Sequence, residues 1–149
     1  MTIWVDADAT PRPVKEILFR AAEKRPVTIV LVANSGQWVP PRSRVTWVQV
    51  PSGPDVADDY IADQCEAGDL VITDDVPLAA RVVERGGYAL QPRGDLLDAE
   101  NVAERLSIRD FNDGLRGDGV ITGGPAPFGA GDRQRFANAL DRWITRHTR

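Results

Sequence analysis

Cysteine and histidine are nearly missing from this 149-residue chain: Cys65 and His147 are single occurrences. That scarcity excludes a disulfide framework and a Cys/His zinc cluster within the chain. It also argues against Ser-His-Asp and Cys-His mechanisms, the more so as His147 stands near a chain end expected to fray. Lysine is scarce too. Lys15 and Lys24 are the lysines among 18 basic residues, so nearly all positive charge is guanidinium, suited to forked contacts with phosphate or carboxylate. No apolar run approaches the ~20 residues of a membrane span, and the N-terminus lacks the order of a signal peptide, which predicts a cytoplasmic protein without a membrane partner. A net charge of -4 and a pI near 5.0 argue against coating nucleic acid by bulk electrostatics and leave room for a local basic patch. The composition, 42% hydrophobic and 27% charged, fits one globular domain over residues 1–149 and is silent on oligomeric state. Chemistry, if there is any, must rest on carboxylates.

The stretch that brings carboxylates forward is Ile3-Trp4-Val5-Asp6-Ala7-Asp8-Ala9-Thr10, an apolar strand running into two acids. Strand alternation places Asp6 and Asp8 on one side, where they repel unless a proton or a cation sits between them; the other reading is that Asp8 begins a turn before the following helix and Asp6 faces solvent at the strand end. Thr10 then reads as the cap of a helix with Pro11 and Pro13 in its first turn and Val14, Ile17, Leu18, Ala21 and Ala22 on its buried stripe. Lys15 and Arg12 fall near the start of that helix, close to Asp8, as solvated charges or phosphate contacts.

The continuous apolar run Val27–Ala33 predicts a strand buried on both faces, as in a parallel sheet. It ends at Asn34, which a parallel arrangement brings to the edge that holds Asp6. Val45–Val50 reads as a third strand. The helix that follows carries Asp55, Asp58 and Asp59 at i, i+3 and i+4, a spacing that crowds like charge on one side. A helix N-terminus accounts for one such acid; three suggest a cation. Asp69–Thr73 is another buried strand, closing at Asp74-Asp75, with Asp75 the natural cap of a helix on Leu78, Ala79, Val82 and Val83. Strand-to-helix junctions of right-handed βαβ units gather at one sheet edge, so these acids are expected to converge. Tyr88–Leu90 reads as a short edge strand, and Leu97–Leu106 and Ile108–Leu115 as helical pieces. Seven of the 13 glycines fall between Gly114 and Gly131, a connector (114–131) without the lysine of a phosphate-binding loop. Asp132 is expected to cap a last helix, 132–147.

These residues together resemble the YaiI/YqxD family of bacterial proteins, placed among the PIN-like folds. The likeness runs through Trp4-Val5-Asp6-Ala7-Asp8-Ala9, Val32-Ala33-Asn34, Asp55-Val56-Ala57-Asp58, Val71-Ile72-Thr73 with Asp75-Val76-Pro77-Leu78-Ala79, Pro92-Arg93-Gly94, Arg109-Asp110-Phe111, Thr122-Gly123-Gly124-Pro125, and Asp132-Arg133 with Phe136-Ala137. It implies a three-layer α/β/α, Rossmann-like PIN-type domain with a mainly parallel central sheet and an acidic pocket similar to that of metal-dependent PIN nucleases. The family's acids match Asp6, Asp8, Asp55, Asp58 and Asp75; Asp59 and Asp74 stand where relatives commonly carry other residues. One departure is Thr10, where the family usually has cysteine, which removes thiol chemistry from that position.

Three functions compete. The first is a nuclease acting on RNA or single-stranded nucleic acid, with Asp6, Asp8, Asp58 and Asp75 holding Mg²⁺ or Mn²⁺. In it Asp55, Asp59, Asp74 and Asn34 are secondary, and Lys15, Arg93 and Arg109 meet phosphate. The second is a non-catalytic PIN-like binding module. The third is a phosphatase of the haloacid dehalogenase type, suggested by Asp6-Ala7-Asp8-Ala9-Thr10 but lacking a lysine after Lys24.

Overall fold

Six strands form one sheet in the order β3-β2-β1-β4-β5-β6. They are β1 (Thr2–Asp6), β2 (Thr28–Ala33), β3 (Val45–Gln49), β4 (Leu70–Ile72), β5 (Tyr88–Leu90) and β6 (Leu96–Leu97). The first five run parallel, and β6 is antiparallel to β5. The computed structural model describes residues 1–117 and 127–148, with the backbone alone over 111–117. Among these residues the helices are α1 (Arg12–Lys24), α2 (Val56–Gln64), α3 (Val76–Glu84), α4 (Val102–Gly117) and α5 (Ala130–His147).

A period of two sorts the strand residues into layers. Ile3 and Val5, Ile29 and Leu31, Leu70 and Ile72 face a core closed by Val14 and Leu18 of α1 and by Phe136, Leu140, Trp143 and Ile144 of α5. Their neighbours Val32 and Val71, with half-buried Trp4 and Val30, face Ile61 and Ala62 of α2 and Leu78 and Val82 of α3. Strands buried on both faces require unbroken apolar runs, which is why β2 and β4 read as they do. Each fully buried aliphatic side chain contributes about 1.5–3 kcal/mol. The result is the expected three-layer α/β/α fold. Asp69, itself buried, ties the two halves of the sheet by accepting from Thr2 N and Trp4 Nε1 (3.1 Å each) and from Glu66 N (3.0 Å).

Several local expectations are corrected. Tyr88–Leu90 is not an edge strand: the chain turns at Gln91–Gly94, where Gly94 N donates to Gln91 O (2.9 Å), and returns as β6. Two residues of strand are too short to leave a periodic signal, so Leu97 belongs to β6 and not to a helix; α4 is one element from Val102. Gly94 has φ +100°, and a Cβ there would lie 2.8 Å from Arg135 Cβ, so this turn packs directly on α5. Gly129, not Asp132, caps α5. Asp132 sits one turn inside, where its carboxylate accepts from Gly129 N (3.0 Å). His147 does not fray; it stacks on Trp143 with ring centroids 4.7 Å apart. The middle of the glycine-rich connector, 118–126, lies outside the described residues. No helix among those described is long and apolar enough to cross a membrane.

Candidate functional site

From β1 the chain moves outward to β2 and β3, and then crosses back to place β4 on β1's other side. The carboxyl ends of β1 and β4 therefore flank the point where strand order reverses, the place at which open α/β sheets leave a crevice. Asp6 ends β1 there. Because Val5 points to the α1/α5 core, Asp6 points to the other layer, towards α2 and α3. Thr73, just past β4, donates its hydroxyl to Asp6 Oδ2 (3.3 Å) and accepts from the backbone N–H of Asp75 (3.1 Å). Asp75 caps α3 by accepting from Leu78 N (3.0 Å). Asp58 enters from the first turn of α2.

Three junctions thus bring Asp6, Asp58 and Asp75 together, and their electrostatics record it. Burial pushes the Asp58 carboxyl up to about 7, helped by repulsion from Asp75 and Asp6, by a hydrogen bond with Asp75 that the protonated form makes, and by Asp55. Asp6 is also raised, by burial first and then by Asp75 and Asp8; the Thr73 hydroxyl opposes this. At neutral pH the Asp58 carboxyl is therefore poised between its protonated and charged forms.

Asp8 departs from expectation. Strand geometry ends at Asp6, and Ala7–Ala9 form a single 3-10 turn, so the alternation that would have paired the two carboxylates is broken. Asp8 turns instead to the end of β2, where it accepts from Asn34 N (2.7 Å) and from the Ser35 hydroxyl. Burial would raise its pKa, but these hydrogen bonds and the nearby Lys15 ammonium outweigh it, and the carboxyl is held low. Thr10 does not cap α1, which starts after Pro11 without a side-chain cap. Its hydroxyl donates to Asp6 O (2.7 Å), and its N–H to Ala7 O (3.3 Å), closing the turn that directs Asp8.

The other expected residues divide. Asp55 precedes α2 in the left-handed conformation (φ 63°), with its carbonyl accepting from Asp59 N. Asp59 leaves the cluster to pair with Arg81 at 2.8 Å. Desolvation raises the Asp74 carboxyl against the pull of Arg93 and Arg105, placing it on the β5 side of the edge. Arg93 is held by Asp132 at 2.9 Å, and Arg109 lies beside Asp110 at 3.4 Å. Lys15 donates to Gln37 Oε1 (2.9 Å), next to the Asp8 network. Thr73 and Ser35 were missed, although a hydroxyl directly after a buried strand and directly before an acid or a turn is a readable signal of a side chain at this sheet edge. Among the described residues no group of three or more His, Cys, Asp or Glu side chains stands ready to hold a metal ion. The oxygen donors suit a hard divalent cation in kind. In arrangement, Asp6, Asp58 and Asp75 share one end of the sheet, and Asp8 is engaged elsewhere.

Comparison with known proteins addresses the whole chain. Residues 4–146 match the family described as "Uncharacterized BCR, YaiI/YqxD family". A UPF0178 protein of Shewanella sp. (strain MR-7) is 56% identical over 144 residues, covering 97% of this chain and 95% of the relative. One from Syntrophotalea carbinolica is 54% identical over 147 residues, covering 99% of each. Another, from Saccharophagus degradans, is 55% identical over 146 residues, covering 98% of this chain and 97% of its own. No solved structure matches. With a family match spanning nearly its full length and relatives of this identity along it, the chain belongs to the YaiI/YqxD (UPF0178) family.

Proposed function

We propose that the chain is a phosphodiesterase dependent on Mg²⁺ or Mn²⁺ that acts on RNA or single-stranded nucleic acid. The observation that carries this reading is the meeting of Asp6, Asp58 and Asp75 at the strand-order reversal, where burial first and then the charges of Asp75 and Asp6 push Asp58 up to about 7. Mutual repulsion of half-buried carboxylates costs stability unless something positive offsets it, and a fold that assembles three of them from distant junctions favours a cationic occupant over chance. Asp6, Asp58 and Asp75 would hold the cation, with Asp8 at its margin. The cation, when bound, supplies charge stabilisation for a phosphate and a lowered pKa for a water.

The chain's own residues supply the rest. Thr73 orients Asp6 through its hydroxyl and fixes the start of α3 through Asp75 N, so one side chain sets two donors. Lys15 stands where it can meet a phosphate oxygen. Arg93 is committed in part to Asp132, which ties the Gln91–Gly94 turn to the start of α5. Asp8, bonded to Asn34 and Ser35, is poorly placed for the acid/base part of a dehalogenase-type phosphatase.

The test is cleavage of a labelled single-stranded RNA with Mn²⁺ or Mg²⁺. Activity that needs the metal and disappears in Asp6→Asn supports the proposal; activity that persists in Asp6→Asn, or its absence from the wild type, overturns it. A second reading, the non-catalytic module, is favoured by one observation: no ready-made ligand trio exists among the described residues. Thermal stabilisation by millimolar Mn²⁺ without cleavage would select it.

A further inference from the structure

The exposed large hydrophobic side chains of the described residues are Met1, Trp38 and Ile108, and Trp38, at 69% exposure, is the aromatic one among them. It is not loosely held. Its ring meets Phe19 of α1 edge-on, with centroids 5.8 Å apart and an interplanar angle of 66°, and Pro40 and Pro41 stiffen the chain just after it. Trp38 lines a cleft of about 430 Å³ between the start of α1 and the segment after β2. Arg12 and Lys15 line the same cleft, while Glu16 on its rim lies 3.9 Å from Arg133. The cleft is continuous with the acidic edge. Lys15 Nζ donates to Gln37 Oε1 (2.9 Å), Gln37 Nε2 to Ser35 Oγ (3.4 Å), and Ser35 to Asp8.

We propose that this cleft is the docking site of a single-stranded nucleic acid, with one base stacked on Trp38 and flanking phosphates met by Arg12 and Lys15. A rigid, solvent-facing indole beside two cations is the combination that single strands use, because every base has a π-face and every linkage a charge. A duplex hides its base faces and fits poorly. The net charge of -4 confines such binding to a local patch, and this cleft is one, joined by hydrogen bonds through Gln37 and Ser35 to Asp8. The choice of ligand rests on the phosphodiesterase reading, whereas the measurement of binding does not.

Binding of a fluorescein-labelled oligouridine of about 12 nucleotides is measured by anisotropy in EDTA, so that nothing is cleaved. Wild type binds and Trp38→Ala weakens binding roughly tenfold or more, while Trp38→Phe, which keeps a ring, loses far less. Lys15→Gln lowers the salt dependence by about 0.7 in the log–log slope. An unchanged melting temperature confirms that Trp38→Ala is folded. No binding by wild type, or equal affinity in Trp38→Ala, overturns the proposal. Loss of a dimer in Trp38→Ala with oligonucleotide affinity intact overturns it in favour of a protein partner. In the cleavage arm, Trp38→Ala lowers kcat/KM far more on the oligonucleotide than on bis(p-nitrophenyl) phosphate, which carries no nucleobase to stack. If neither substrate is cleaved but binding still depends on Trp38, the docking site stands and the phosphodiesterase falls.

Discussion

Replacing Asp58 by asparagine makes the protein more stable at neutral pH and leaves it nearly unchanged below about pH 3.5. Asp58 in the folded protein is pushed from the ordinary 3.8 to about 7. Between those values the unfolded chain has released the proton that the folded chain still binds, so wild-type stability falls as pH rises through this window and levels off above about 7. Asparagine does not titrate, and its amide can donate to Asp75 as the protonated acid does, so the variant escapes the loss. A fully dry site would give roughly 4 kcal/mol for such a shift. Asp58 is only half-buried, and solvent screening reduces the expected gain to about 1–2 kcal/mol.

The assay is equilibrium urea unfolding in EDTA of wild type and Asp58→Asn at a series of pH values from about 3 to 8. The difference should be close to zero at the acid end, grow in favour of Asp58→Asn, and reach a plateau above about pH 7. With saturating Mn²⁺ the order should reverse at the plateau, since only the wild type then has the full carboxylate set. A difference independent of pH, or a wild type more stable than the variant in EDTA at about pH 7.5, would refute the claim that burial and the neighbouring acids raise the Asp58 carboxyl.

Two further outcomes concern the frame around the site. Asp55→Gly should stabilise the protein by about 0.5–1 kcal/mol and Asp55→Ala should destabilise it slightly, because φ 63° suits glycine and disfavours alanine; thermal melting of the pair separates backbone strain from the charge that both remove. Gly94→Ala should cost about 2 kcal/mol or more in urea unfolding, since φ +100° and a Cβ 2.8 Å from Arg135 Cβ force α5 away from the Gln91–Gly94 turn; a cost under about 0.5 kcal/mol would mean that this contact is soft.

Much of this was legible in the sequence, for physical reasons that differ from residue to residue. The parallel sheet showed itself in runs such as Ile29–Ala33 and Leu70–Ile72, because strands covered on both faces tolerate no polar alternation. Asp75 was legible as a cap because Pro77 and the apolar stripe of α3 mark the helix start behind it. Convergence of Asp6, Asp58 and Asp75 followed from topology alone. Illegible were features set by contacts distant in sequence: Asp132 looked like a cap, yet Arg93, Arg135 and Gly129 N draw it one turn into α5. The strand β6 was too short for any periodicity.

Asp8 follows the second of the two readings open in the sequence, the turn, because strand alternation ends at Asp6. Alternation holds while backbone N–H and C=O groups pair with neighbouring strands, and β1 has its last pairing at Asp6 opposite Val32. Beyond it Thr10 bonds back to Asp6 O and replaces ladder pairing by a turn, so the second carboxylate swings from the α2/α3 layer towards Asn34 and Ser35. The Thr10 hydroxyl helps hold the turn that parts the two acids. The acid that stays, Asp6, faces Asp58 and Asp75; the acid that leaves joins the chain of hydrogen bonds running through Ser35 and Gln37 to Lys15, beside Trp38. A single local turn thus connects the carboxylate cluster to the aromatic cleft, and the pair that began as one feature of the sequence ends as the boundary between two.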